Sequence, residues 1–121
     1  MVVILKRVLI VDDGVFMRIL IKGMLEKNGY EIIGEAEDGE IGVEKYKELK
    51  PDLVTLDITM PNKDGISALK DILAFDAEAN VLMVSAMGQE DFVKEALLCG
   101  AKGFVVKPFD EDALLGAIEN I

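Results

Sequence analysis

Five times along this 121-residue chain a short apolar run gives way to a stretch with helical spacing. The runs are Val8-Leu9-Ile10-Val11, Glu31 to Ala36, Leu53-Val54-Thr55-Leu56, Val81-Leu82-Met83-Val84 and Phe104-Val105-Val106. Short, mostly continuous apolar runs are what strands show when a sheet is covered on both faces. After the first run, Met17, Leu20, Ile21, Met24 and Leu25 recur at helical intervals until Asn28-Gly29. Further helices are predicted over Ile41 to Leu49, Ile66 to Phe75, about Glu90 to Cys99, and Glu111 to Ile121. Leu114, Leu115, Ile118 and Ile121 form the inner face of the last. Lys50-Pro51 and Gly100 are stop signals, because proline cannot continue a helix and glycine readily caps one. Parallel strands need a crossover between them, most often a helix. The pattern therefore predicts one α/β three-layer domain over residues 1–121. Periodicity leaves the strand order open. The common solution for five strands and five helices is the flavodoxin-like order 2-1-3-4-5, a (βα)5 unit with a parallel five-stranded sheet.

Such a sheet binds ligands at the edge formed by the carboxyl ends of its strands. The residues just past those ends are Asp12-Asp13, Asp57, Ser85 and Lys107. Order 2-1-3-4-5 sets the first and third strands side by side, which makes Asp12, Asp13 and Asp57 neighbours. Three crowded carboxylates repel one another unless a cation sits among them. Oxygen-only donors favour a hard divalent ion, and Mg²⁺ characteristically takes one or two carboxylates with phosphate oxygens and water. The Lys107 ammonium and the Ser85 hydroxyl suit the phosphate. Taken singly each residue has a plainer reading: the acids as turn or cap residues, Ser85 as a turn opener, Lys107 as a surface lysine. Their joint placement at one edge favours the site.

Composition removes several chemistries. The chain has no histidine and one cysteine, Cys99, so imidazole catalysis, cysteine zinc sites and internal disulfides are excluded. Cys99 is expected to be a small buried thiol. The net charge is −10, and an excess of acid remains after the four charged edge residues are set aside. Nucleic acid and anionic membranes are poor partners for such a surface. No apolar stretch approaches the ~20 residues of a membrane span. The opening Met1 to Leu5 meets Lys6-Arg7 at once, unlike a secretory leader. A cytoplasmic monomer is expected.

The order of short motifs resembles a response-regulator receiver domain along essentially the whole chain. The resemblance rests on Val11-Asp12-Asp13, Asp57-Ile58-Thr59-Met60-Pro61, Asp64-Gly65, Ser85-Ala86, Gly100-Ala101-Lys102 and Lys107-Pro108-Phe109. Thr55 to Pro61 and Ser85-Ala86-Met87-Gly88-Gln89 look like the stand-alone chemotaxis type. The resemblance implies that Asp57 accepts a phosphoryl group from a phosphohistidine on a sensor histidine kinase. It implies that Asp13, Asp57 and the Thr59 carbonyl bind Mg²⁺ directly, with Asp12 acting through water. Lys107 would pair with the phosphoryl oxygens, and Ser85 would move to hydrogen-bond one of them. It also implies a cis peptide at Lys107-Pro108 and an aromatic switch at Phe104, a residue that strand alternation alone assigns to the core. Such a protein promotes only its own phosphorylation and dephosphorylation, the latter aided in some systems by a phosphatase.

Two features depart from the family's habit. Gly14-Val15 follows the acid pair where a polar residue is common, which loosens the expected start of the first helix and the Asp12 environment. The last two helices carry Glu90, Asp91, Glu95, Asp110, Glu111, Asp112 and Glu119 against Lys94 and Lys102, where many chemotaxis members are more basic. The resemblance implies a flagellar or archaeal motility switch or adaptor protein as partner, and this face asks for a basic one.

Two enzyme or carrier readings compete. A Mg²⁺-dependent aspartyl-phosphate phosphohydrolase would also use Asp57 as nucleophile. It commonly carries a second acid two residues later, where this chain has Thr59, and no insertion is long enough for a substrate cap. A flavin carrier of similar fold would seat its phosphate where Asp12 and Asp13 would repel it.

Overall fold

The computed structural model describes residues 6–121, so the Met1 to Leu5 opening and its reading as no leader lie outside the described residues. Five strands, β1 (Arg7–Val11), β2 (Glu31–Ala36), β3 (Leu53–Asp57), β4 (Val81–Ala86) and β5 (Gly103–Lys107), form one parallel sheet in the order β2-β1-β3-β4-β5. The intervening and final helices are α1 (Val15–Lys27), α2 (Gly39–Leu49), α3 (Gly65–Phe75), α4 (Glu90–Cys99) and α5 (Glu111–Glu119). Both the fold class and the strand order agree with the sequence reading. No described helix is long and apolar enough to cross a membrane.

Side chains alternate across the sheet, and each face has its own core. Leu9, Val11, Val54, Leu56, Val81 and Met83 meet α2, α3 and α4 on one side. Val8, Ile10, Leu53, Leu82, Val84 and Val105 meet α1 and α5 on the other. The core-facing side chains of β1, β3 and β4 are nearly all fully buried, which accounts for their unbroken apolar runs.

Asp38, Asp64 and Asp110 each accept a backbone N–H at the start of α2, α3 and α5. The patterns read from Ile41 and Ile66 begin two residues and one residue late, because the first turns of α2 and α3 open on glycine, whereas the starts read at Glu90 and Glu111 agree with the structure. The last helix ends at Glu119 rather than Ile121, although Ile121 still packs half-buried against the core. Within α1, Ile21 and Leu25 are buried, but Leu20, which recurs with them at helical spacing, is exposed beside Val15, Phe16 and Ile19. An apolar stripe wider than the sheet can cover leaves one edge wet. Cys99 is half-buried against the larger core rather than enclosed.

Candidate functional site

The site follows from strand register. Val11 pairs with Leu56 across β1 and β3, and Asp57 pairs with Val84 across β3 and β4. Ala86 pairs with Lys107 across β4 and β5. The residues just past Val11 and at the ends of β3, β4 and β5 therefore meet along one edge. Gly65 makes room for it: the first residue of α3 lies so close to β3 that a Cβ there would sit 2.1 Å from the Asp57 carbonyl oxygen. Its N–H donates to the Ile58 carbonyl at 2.7 Å.

Asp12, Asp13 and Asp57 can each offer a carboxylate oxygen within 4.8 Å of the other two. Asp12 and Asp57 are buried, whereas Asp13 is exposed at the mouth. Lys107 Nζ lies between the buried pair, 3.1 Å from Asp12 Oδ2 and 3.4 Å from Asp57 Oδ1. The other oxygen of Asp12 accepts the Gly14 N–H at 2.8 Å. Gly14 gives α1 no side-chain cap, as the sequence suggested, but Asp12 is held firmly between Gly14 and Lys107.

Burial, then repulsion from Asp12, pushes the Asp57 carboxyl up to about 6, with Lys107 pulling in the opposite direction. Burial acts on Lys107 to lower its affinity for a proton, yet Asp57 and Asp12 outweigh this and hold it above its ordinary value. One ammonium thus balances three carboxylates incompletely. An oxygen-only donor set with uncompensated negative charge suits a hard divalent cation.

Ser85 and Thr59 behave differently. The Ser85 hydroxyl is buried at the end of β4 with no hydrogen-bond partner among the described residues. Thr59 is exposed on the loop after β3, and its side chain accepts a hydrogen bond from Gln89 Nε2 at 2.8 Å. The Lys107-Pro108 peptide is cis.

Ser85 also lines a groove of about 490 Å³ between α4 and β5, walled by Val93, Leu97, Leu98, Phe104 and Val106. Phe104 is 44% exposed, which corrects its assignment to the core by alternation. It faces the α4 side of an edge strand that α4 does not fully cover. Sequence reasoning missed this apolar groove. Its signal was Leu97-Leu98, which falls off the Val93–Ala96 stripe that α4 buries.

A family model of the response regulator receiver domain matches residues 8–119. The chain is similar to the chemotaxis protein CheY of Bacillus subtilis, 59% identical over 114 residues, or 94% of this chain and 95% of that protein. It is 53% identical over 116 residues to the chemotaxis protein CheY of Thermotoga maritima, covering 96% of this chain and 97% of that one. Among solved structures it resembles one of a CheX–CheY–BeF3–Mg²⁺ complex from Borrelia burgdorferi, with a TM-score of 0.90 and 47% identity over 93% of this chain and 86% of that one.

Proposed function

This chain belongs to the response-regulator receiver family, and we propose from that premise that it is a chemotaxis phosphoacceptor with Asp57 as the accepting residue. The observation that carries the reading is the convergence of Asp12, Asp13 and Asp57 around one point, with Lys107 reaching the two buried acids. An Asp57 carboxylate oxygen attacks the phosphorus of a phosphohistidine on a sensor histidine kinase. The new O–P bond forms as the N–P bond breaks, and its electron pair returns to the imidazole. A carboxylate is a weak nucleophile, so positioning and charge neutralisation carry the step.

Mg²⁺ bound at the acids would supply that neutralisation. Asp13, Asp57 and the Thr59 carbonyl would hold it directly. Asp12, whose two oxygens already serve Lys107 and Gly14, would act on it through water. Lys107 orients and steadies the phosphoryl oxygens. The unpartnered Ser85 hydroxyl gains an acceptor once phosphate arrives, a contact that favours one of two conformations over the other. The groove beside Phe104 is then reshaped to bind a motility partner, with a phosphatase assisting the return. The setting is the cytoplasm.

Transfer from a ³²P-labelled histidine kinase tests the reading. Label should pass to the chain with Mg²⁺ and fail to pass with EDTA, and Lys107→Ala should slow it by about 10²-fold or more. Transfer that is indifferent to both EDTA and Lys107→Ala would refute it.

A further inference from the structure

Gln89 occupies the N-cap position of α4 but makes no side-chain cap to its own helix. Its carboxamide turns the other way and spans two loops. Gln89 Oε1 accepts the Ala86 N–H at 2.7 Å, and Nε2 donates to Thr59 Oγ1 at 2.8 Å. Ala86 adjoins Ser85, and Thr59 lies two residues past Asp57, so one side chain ties together the loops that flank the acids. Little else restrains the intervening segment. Met87 is 77% exposed, and Gly88 takes φ +89° with nothing within 4 Å of a Cβ position.

The consequence concerns donors. Ser85 O–H and Ala86 N–H are consecutive hydrogen-bond donors at the end of β4. The first has no partner among the described residues, and the second is saturated by the Gln89 oxygen. A phosphoryl oxygen and a carboxamide oxygen cannot both take the Ala86 N–H at full strength, since a backbone amide has one hydrogen to give.

We propose that Gln89 is a positioning residue, a clasp whose carboxamide holds the segment between β4 and α4 to Thr59 and keeps the Ala86 N–H from a phosphoryl group. The proposal rests on Asp57 being the acceptor. Loading of the site must open the clasp, so Gln89 opposes the switched conformation and sets how readily it is reached.

Beryllofluoride with Mg²⁺, a phosphoryl mimic that bonds a carboxylate oxygen, is the probe for binding, and hydrogen exchange at the Ala86 amide is the probe for the clasp. Gln89→Met keeps the bulk without the amide. It should speed Ala86 exchange in the unliganded protein by about tenfold or more. It should also tighten beryllofluoride binding roughly five- to tenfold, the worth of one or two net hydrogen bonds. Gln89→Glu keeps an oxygen for Ala86 and should restore the slow exchange, which a loss of packing alone would not explain. Beryllofluoride binding unchanged or weaker in Gln89→Met, with the parent protein binding normally, would overturn the clasp. Binding by neither protein would overturn the acceptor reading and, with it, the competition at Ala86.

Discussion

At the scale of single residues the site depends on a carboxylate kept in an unfavourable place. Asp57 is buried beside two other acids, and its proton affinity is raised, to a pKa of about 6. An acid held more tightly protonated in the folded than in the unfolded chain contributes stability below the unfolded value and loses it as pH rises through the folded one. In metal-free buffer, stability should therefore fall between about pH 4 and pH 6. Asp57→Asn removes that dependence. Urea unfolding should find the variant about 1–2 kcal/mol more stable than the parent at pH 7–8, after allowance for screening, with the advantage gone near pH 4. Parallel pH profiles would show that the charge carries no such cost. Asp12, Asp13, Asp57, Ser85 and Lys107 could all be picked out in the sequence, because each follows a run whose strand character is set locally. Gln89 could not. Its role arises only where two loops distant in sequence come within hydrogen-bond reach, and nothing in a single segment marks that.

At the scale of elements, glycines separate close packing from mere permissiveness. Gly65 opens α3 against the Asp57 backbone, where a Cβ would clash at 2.1 Å with an atom that has little freedom to move. Gly65→Ala should cost about 1–3 kcal/mol in urea unfolding and weaken Mg²⁺ binding by displacing β3 from α3. Gly116 lies inside α5 with nothing within 4 Å of a Cβ position. Gly116→Ala should instead gain about 0.5–1 kcal/mol, through helix propensity and a less flexible unfolded chain. A harmless Gly65→Ala would contradict the packing described for the site. Helix and strand identities were legible because helical spacing and short continuous apolar runs are local properties. The exposed Leu20 and the half-exposed Phe104 were not, since each depends on how far a neighbouring element reaches across the sheet.

At the scale of the whole molecule, the acidic balance read from composition resolves into two kinds of surface. Glu95 approaches Lys70 of α3 and Glu111 approaches Lys27 of α1, so these acids are engaged within the chain. Glu90, Asp91 and Asp112 make no ion pair among the described residues, and the first of them rims the apolar groove between α4 and β5. A partner with an apolar ridge and basic flanks fits that combination. Asp91→Lys should slow its association severalfold at low salt, with the difference shrinking as ionic strength rises, and should leave phosphorylation intact. Stopped-flow binding with equal rates for both proteins would remove the charge from recognition. The proposed function depends on one covalent event at the sheet edge, and intact mass spectrometry after incubation with acetyl phosphate and Mg²⁺ tests it most directly. Phosphoryl acceptance at Asp57 requires a single phosphoryl adduct on the parent protein and none on Asp57→Asn; no adduct on the parent, or a full adduct on the variant, would contradict it.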